Sequence, residues 1–498
     1  MKTITEAQYD ELCDACDALL KQKLSYERMA NAWLHVIREH PIFLNGYSAL
    51  FNKGELLFYS HLFRQLLWHI AVGSYKFLHA IYRNYFLQDR LIKVQKPFED
   101  VFISHFLNET FIDHKRDFYF FDLPKKIAQK KSSSLQLYIN FTDLSTTTIQ
   151  QKWKEKPISS KALPKYLSFF QEIKIRWFMV RESLTILNTK TSSKFEKRVK
   201  YQAAVASLSS SSHSNYRLAI LVQRYVKMNN VKRIFTTYEG HPWEKLIYAF
   251  ARKVNPRIKC IGYQHALVFR KQHAIRRKLT MNFEPDYILC SGEHGLKQFE
   301  EINYLPSNRL LLFGTNRTFS IKPSRLAIEA KRRNVFLMLS EGDLVECIPL
   351  VKFVLHLAKE YPKNHFIIRF HPITRVTDVL RECPELSAPP KNIELSSVSF
   401  EEDLERAHFA IYRGSTTIIK AVEYGLFPLY FSRPNEIMID PLHGIHEEKI
   451  SVSSPSDIAL LEKITHKMLI EKQHSLIKHV QQFFSPINYN EALKIKHL

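Results

Sequence analysis

NVFLMLSEG (334–342), HFIIRFHP (365–372) and HFAIYRGSTT (408–417) decide the fold. Each begins with a short apolar or aromatic run and ends in polar, small or turn-forming residues. Helix-period stretches separate them: LVECIPLVKFVLHLAKEYP (344–362), then SFEEDLERA (399–407). TTIIKAVEYG (416–425) next leads into FPLYFS (427–432). Strands alternating with helices over short connections predict a parallel sheet covered by helices.

The same alternation runs upstream. VKRIFTTYE (231–239), IKCIGYQH (258–265), PDYILCSG (285–292) and RLLLFGT (309–315) read as strands, with helices at 216–230, 243–254 and 295–303. EDVFISHF (99–106) and SLQLYINFTD (134–143) read as two earlier strands. The expectation is an α/β protein with two Rossmann-like domains facing a cleft and an extra helical N-terminal region. The expected boundaries are 1–97 for the helical region, 98–325 and 326–470 for the two α/β domains, and 471–498 for a helical tail. Residues 121–200 are expected to form a basic insertion that faces a membrane. Residues 318–332 read as a linker, and SLSSSSHS (207–214) as a helix-capping turn. Neither half contains G-x-G-x-x-G or a Walker motif, so neither is an ordinary dinucleotide or P-loop site.

With 498 residues, 45% apolar and 13% aromatic, the chain can build two sizeable cores, which excludes a disordered protein. Six cysteines are too few for a disulfide scaffold at this length. Cys13 and Cys16 form a lone C-x-x-C with no second pair at zinc spacing, and they read as helix residues. The acidic N-terminus, MKTITEAQYDELCD, has no apolar h-region, so a cytoplasmic address is expected.

The formal net charge is +23. Residues 121–200 hold 17 Lys and Arg against six Asp and Glu, close to half of that excess. A local basic excess implies an anionic surface or substrate. The aromatic stretch 56–88 is interrupted by His61, Arg64, His69, Lys76, His79 and Arg83, which argues against a membrane span. It fits either a surface-lying amphipathic helix or a domain-packing helix. The basic, aromatic helix at 164–190 is a second membrane-facing candidate.

Ligands of open α/β sheets bind beyond the carboxyl ends of the strands. The candidate chemistry lies there. In Tyr238-Glu239-Gly240-His241-Pro242-Trp243-Glu244 two carboxylates flank a turn into a helix. Glu239 is the first choice for a general base and Glu244 the second, with a helix-capping role as the alternative for Glu244. Tyr238, His241, Gln264 and His265 are the expected acceptor contacts. Arg369, His371 and Pro372 end one strand of the second half; Arg413, Gly414, Ser415, Thr416 and Thr417 end another. Donors and hydroxyls at a helix start suit a phosphate. Ser340 and Glu341 are placed to contact a base or ribose. No Asp-x-Asp or other metal cluster occurs in this region, so no metal is expected.

YEGHPWEK (238–245), IGYQHA (261–266), EPDYILCSG (284–292), FGTNR (313–317), the FHP turn and GSTT together resemble the bacterial surface carbohydrate (O-antigen and capsule) biosynthesis proteins. The resemblance covers roughly residues 98–445. The second half is similar to that of GT-B glycosyltransferases using CMP-activated sugars, the bacterial sialyltransferases and Kdo transferases. That resemblance implies a metal-independent transferase working on a nucleotide-sugar donor, with no other cofactor. His371 would contact the CMP phosphate and assist its departure, and Ser415 and Thr416 would bind the same phosphate. In the sialyltransferases two acidic residues precede the glycine and the first is the base; here Tyr238 stands in the first position, which leaves Glu239. The expected partners are the donor, a lipid-linked or glycan acceptor and an anionic membrane surface, on the inner face of the cytoplasmic membrane. Nucleic acid is not expected. Two alternatives remain: a CDP-polyol phosphotransferase of the same fold, and a non-catalytic membrane- or nucleic-acid-binding protein.

Overall fold

The computed structural model describes residues 4–92, 97–112, 116–129, 133–153, 159–317, 334–445, 449–459, 461 and 466–495. The expected linker at 318–332 lies outside these.

Two all-parallel sheets form the framework. The first contains β1 (Asp100–Phe106), β2 (Ser134–Asn140), β3 (Ser159–Leu163), β4 (Arg233–Thr237), β5 (Lys259–Gln264), β6 (Tyr287–Cys290) and β7 (Leu310–Leu312), in the order β3-β2-β1-β4-β5-β6-β7. The second contains β8 (Val335–Leu339), β9 (His365–Arg369), β10 (Ile393–Leu395), β11 (Phe409–Tyr412), β12 (Phe427–Phe431) and β13 (Ile450–Val452), in the order β10-β9-β8-β11-β12-β13. Both sheets wind outward in two directions from a central strand, which is the doubly wound, Rossmann-like topology expected. Strand order therefore reverses beside β1/β4 in one sheet and β8/β11 in the other. Those two crevices are where open α/β sheets hold ligands.

The central strands are buried on both faces, as parallel sheets require. All five residues of β4 and all four of β11 are buried. Helix starts are set by local chemistry. The helix Pro242–Val254 opens with His241 as N-cap, Pro242 at its first position and Glu244 closing a capping box. Within the polar run at 207–214 only Leu208 and Ser209 separate two helices, Lys194–Ser207 and Ser210–Met228; Ser209 is the N-cap of the second, whose first turns take the rest of the run.

Three expectations of domain organisation need correction. Residues 121–200 are not an insertion, because they supply β2 and β3 as well as the helices Phe169–Leu187 and Lys194–Ser207. The sequence marks β2, but the short β3 (SSKAL) has no apolar run to show that the segment continues the sheet. The tail is not an appendage. After the helix His466–Val480, Phe483 and Phe484 join the second core, while Ala492, Leu493 and Ile495 join a core of the first domain. Gly292 and Gly314 leave room for this return strap: a Cβ on either would meet the backbone of Phe483 or Pro486. The N-terminal helices share the main core of the first domain, where Tyr9, Leu12 and Leu19 cluster with Leu246 and Phe250. Cys13 and Cys16 are buried in the helix Glu6–Gln22, and burial pushes both thiols up, so they are protonated core residues.

The helix Glu55–Tyr85 runs for 31 residues, about 46 Å at 1.5 Å per residue. Among the described residues no helix is long and apolar enough to cross a membrane.

Candidate functional site

The crevice at β8/β11 assembles most of the residues expected to hold a nucleotide. Ser340 and Glu341 leave β8, His371 follows β9, and Gly414 and Ser415 leave β11. The backbone N–H of His371 donates to Ser340 Oγ (2.9 Å). Its Nδ1 accepts from the N–H of Ile373 (3.3 Å), so a neutral ring carries its proton on Nε2. Ser415 and Thr417 share a hydroxyl hydrogen bond (2.7 Å), and Thr416 and Thr417 are exposed. Gly414 is required by a close approach: a Cβ there would collide with Glu341 Oε1 and come within 2.9 Å of Ile439 Cδ1. Glu341 Oε1 is enclosed and has no hydrogen-bond partner among the described residues. An unpaired carboxylate oxygen at the edge of a hydroxyl-rich crevice would accept from ribose hydroxyls once the side chain turns to expose it.

Two arginines expected in this crevice are committed elsewhere. Arg413 is buried between Glu346 (2.6 Å) and Glu436 (2.8 Å). Arg369 donates to Asp403 (2.7 Å) and Ser396 (3.0 Å). Each neutralises a carboxylate and fixes the loops around the crevice. The buried Arg413 guanidinium is fully committed, whereas Arg369 bonds through Nη1 and keeps part of its guanidinium exposed. Pro372 is exposed in the turn that follows His371.

The crevice at β1/β4 holds a different chemistry. Glu239 sits one turn beyond β4, with 21% of its side chain exposed, between His241 Nε2 (3.3 Å) and His265 Nε2 (3.6 Å). Burial opposes ionisation of Glu239. The hydrogen bond from His241 and the positive potentials of His265, His241 and Arg38 outweigh it and hold the carboxyl well below its ordinary range. His241 is pulled the opposite way: burial disfavours its charge, but Glu239 and Glu244 raise its pKa. Burial, only partly offset by Glu239, lowers the pKa of His265. Gly240 adopts φ +85°, and a Cβ there would lie 2.7 Å from the Ala274 carbonyl carbon.

Glu244, Tyr238 and Gln264 are structural here. Glu244 is fully buried and accepts the backbone N–H groups of Glu239, Gly240 and His241 at 2.8–3.1 Å, so the capping alternative holds. Tyr238 points under the sheet, where its hydroxyl donates to Glu284 (3.0 Å) beside Lys245 and Tyr304. Gln264 ties β5 to β6 through Ser291, whose backbone N–H donates to its Oε1 (3.2 Å). Side chains alternate along strands, so the last residue of a strand faces inward as readily as toward the crevice.

Several site residues escaped the sequence reading. His105 is the penultimate residue of β1; Tyr119 lies between it and His265, at ring separations of 5.3 and 4.8 Å. The segment His35–Pro41 of the N-terminal region links the two crevices. Val36 turns the chain at φ +41°. Arg38 reaches the field of Glu239, and its guanidinium stacks on Phe269 at 5.2 Å. Two residues on, His40 Nε2 lies 3.3 Å from Glu341 Oε2. One signal was present: HVIREHP puts Arg, Glu and His before a third His-Pro pair.

No family model and no curated protein matches this sequence. Solved structures do resemble it at low identity. A glycosyltransferase from Rickettsia africae ESF-5 is 12% identical, with 81% of this chain and 97% of that one covered at a TM-score of 0.42. Acinetobacter baumannii MurG is 10% identical, with 80% and 100% covered at 0.43. A UDP-GlcNAc 2-epimerase from Neisseria meningitidis, bound to UDP-GlcNAc, is 11% identical, with 80% and 98% covered at 0.41. Likeness of this degree, spread over transferases and an epimerase, identifies neither reaction nor substrate.

Proposed function

We propose that the chain is a nucleotide-sugar-dependent glycosyltransferase of surface polysaccharide synthesis. It moves a nonulosonate or Kdo-like sugar from a CMP donor to a lipid-linked or glycan acceptor, and works peripherally on the inner face of the cytoplasmic membrane. One observation carries the reading. An ionised carboxylate flanked by imidazoles stands at one switch point and a hydroxyl-and-imidazole cradle at the other, with His40 of the N-terminal segment set against Glu341 of that cradle.

The division of labour follows from the residue types. Donor ribose hydroxyls meet Glu341 and the phosphate meets Ser415, Thr417 and the outward Nε2–H of His371. As the acceptor oxygen attacks the anomeric carbon, the bond from that carbon to the phosphate oxygen breaks. The leaving nucleotide gains negative charge, which His371 and the hydroxyls stabilise. The acceptor proton passes to Glu239, already ionised at neutral pH, with His265 or His241 within reach to share it.

A thermal-shift panel with CMP, CDP, UDP and GDP tests the donor half. A ligand that binds only the folded state raises the midpoint by mass action. CMP is expected to stabilise the native protein selectively, with the shift lost in His371→Ala. A UDP or CDP preference would replace the CMP assignment and keep the cradle; no response to any nucleotide would overturn the reading.

A further inference from the structure

A cavity of about 620 Å³ opens beside the Glu239 crevice and leads away from the nucleotide cradle. Its floor is the carboxyl ends of β1, β2 and β3, at His105, Asn140 and Leu163. One wall is the first turn of the helix Ser210–Met228, where Ser210, Ser211 and Ser214 line the space. The opposite wall is the helix Glu55–Tyr85, through Tyr75, Lys76 and His79. Trp243 closes the end nearest Glu239, with its ring 5.5 Å from that of His105. His105 Nδ1 is enclosed there without a hydrogen-bond partner among the described residues.

The lining is positive. Lys76, Lys165 and Arg217 contribute to it and no Asp or Glu lines the space, with Lys165 paired at 3.0 Å to Asp143, which is not among the lining residues. Arg217 is held by Glu172 from behind at 2.6 and 2.7 Å. Lys76 has no carboxylate partner among the described residues; burial first, then the charges of Arg217 and Lys165, lower its pKa. Lys76, two carboxylate-paired cations, serine hydroxyls and the start of a long helix, whose Ser212 N–H is taken by the Ser209 cap, surround one space, which suits a phosphate.

Outside, the helix Glu55–Tyr85 presents an uncovered apolar face. Phe63, Leu67, Ile70, Leu78, Tyr82 and Tyr85 recur every three or four residues, apart from Ser74, and all are exposed. The neighbouring helix Phe169–Leu187 extends the face with Phe170, Trp177 and Leu184. The two helices abut where Phe77 and Phe169 lie 4.9 Å apart. Charge marks what covers it. No Asp or Glu occurs from Leu56 through Gln88. In the second helix Glu172 and Glu182 both turn inward, to Arg217 and Arg28, while Lys174 and Arg181 stay exposed. An aromatic, apolar face rimmed by cations and stripped of outward carboxylates complements an anionic bilayer.

We propose that the acceptor is a membrane-resident lipid bearing a phosphate or diphosphate headgroup, bound with its phosphate in this cavity and its tail left in the bilayer on which the two helices dock. The assignment rests on the transferase reading for its chemistry, since it places the headgroup's reacting hydroxyl toward Glu239.

The test uses the full chain and needs no donor. Vesicles of phosphatidylcholine alone, phosphatidylcholine with phosphatidylglycerol, and phosphatidylcholine with polyprenyl diphosphate at matched charge are compared by co-sedimentation and tryptophan emission. The native protein is expected to bind both anionic vesicles at least tenfold more tightly than the neutral ones, with a blue shift as Trp68 and Trp177 enter the interface. Trp68→Glu with Trp177→Glu, both surface changes, should abolish binding to all vesicles. Lys76→Glu should keep membrane binding within a few-fold and lose the preference between the two anionic vesicles. A preference for polyprenyl diphosphate identifies a lipid carrier, and one for phosphatidylglycerol identifies a phospholipid. Equal binding to neutral vesicles, or a Lys76→Glu variant with an unchanged preference, would overturn the proposal. A nucleotide response without vesicle binding would sink this inference alone; vesicle binding without a nucleotide response would sink the transferase reading and with it the acceptor role, leaving a phospholipid-binding cavity.

Discussion

The two switch-point crevices have the same topology and opposite chemistry. The β8/β11 crevice offers hydroxyls, an imidazole and exposed threonines, with both nearby arginines neutralised by Glu346, Glu436 and Asp403. The β1/β4 crevice offers a carboxylate whose charge is preserved by His241, His265 and Arg38. One is built to receive developing negative charge and the other to keep negative charge available. A doubly wound sheet fixes where a ligand sits, and the strand-end side chains decide what is done to it.

The sharpest way to break this contrast is to neutralise the carboxylate. Glu239→Gln is expected to lower kcat by about 10²–10⁴-fold, the range of a lost general base, while leaving the nucleotide-induced thermal shift intact. Loss of the thermal shift in that variant would mean that the two crevices do not divide the work. His371→Ala should do the reverse: it should abolish the nucleotide shift and cost about 10²–10³-fold in kcat. Single-turnover kinetics with the donor bound separates the two effects.

The second crevice was legible in the sequence because its residues are consecutive at strand tips. Ser340-Glu341, His371 and Gly414-Ser415 each follow an apolar strand directly, so reading the strands located them. The arginines in the same tips were misplaced because a strand end does not reveal which face its side chain takes, and the partners Glu346, Glu436 and Asp403 lie on other elements. The first crevice was only partly legible. Glu239, His241 and His265 lie in strand-end motifs, but Arg38, His105 and Tyr119 come from segments far apart in the chain. Only the tertiary packing of the N-terminal helices on the first domain lets the charge of Arg38 act on Glu239. Strands β3 and β13, five and three residues long, lack the apolar run that marked the others.

A seam of neutral imidazoles also joins the halves and gives a second contrast, between a crevice that titrates by design and a contact that must not. The side-chain amide N–H groups of Gln298 reach His294 Nε2 and His443 Nε2 at 2.8 Å each, so neither nitrogen carries a proton. Burial pushes His294 down to about 3 and His443 down to about 4. Both folded values lie below the unfolded value near 6.5, so the unfolded chain takes up protons first as pH falls. The seam's stability is fully present above about pH 6.5 and declines toward pH 4, by of order 3 kcal/mol for His443. Calorimetry from pH 7 to 4.5 should show a falling midpoint, and His443→Gln should flatten the fall. An unchanged slope in that variant would remove His443 from the account.

A smaller effect is expected at His241. Its pKa is raised by Glu239, so protonation persists above the ordinary histidine value and is lost as pH climbs past it. While protonated it competes for the carboxylate; once neutral it leaves Glu239 a better base. Activity should therefore rise several-fold with pH through the raised His241 value, and His241→Gln should lose that rise while still binding nucleotide. A rise retained in the variant would assign the titration to another group.

The finest test probes the link between the crevices. Gly414 lets Glu341 lie against the β11 turn, and that position puts Glu341 Oε2 3.3 Å from His40. In Gly414→Ala the new methyl meets a flexible carboxylate and the tip of Ile439, so the fold should adjust at a cost of about 1–3 kcal/mol. The displaced Glu341 would then lose both His40 and its line to the ribose. The expected result is a donor KM raised about tenfold with kcat changed little, because ribose contacts act equally in the ground and transition states. His40→Ala should raise KM by a smaller factor, and the double variant should cost less than the product of the two, since both act through one carboxylate. Strictly multiplicative effects would separate Gly414 from His40. The N-terminal segment would then be packing against the cradle without positioning Glu341 in it.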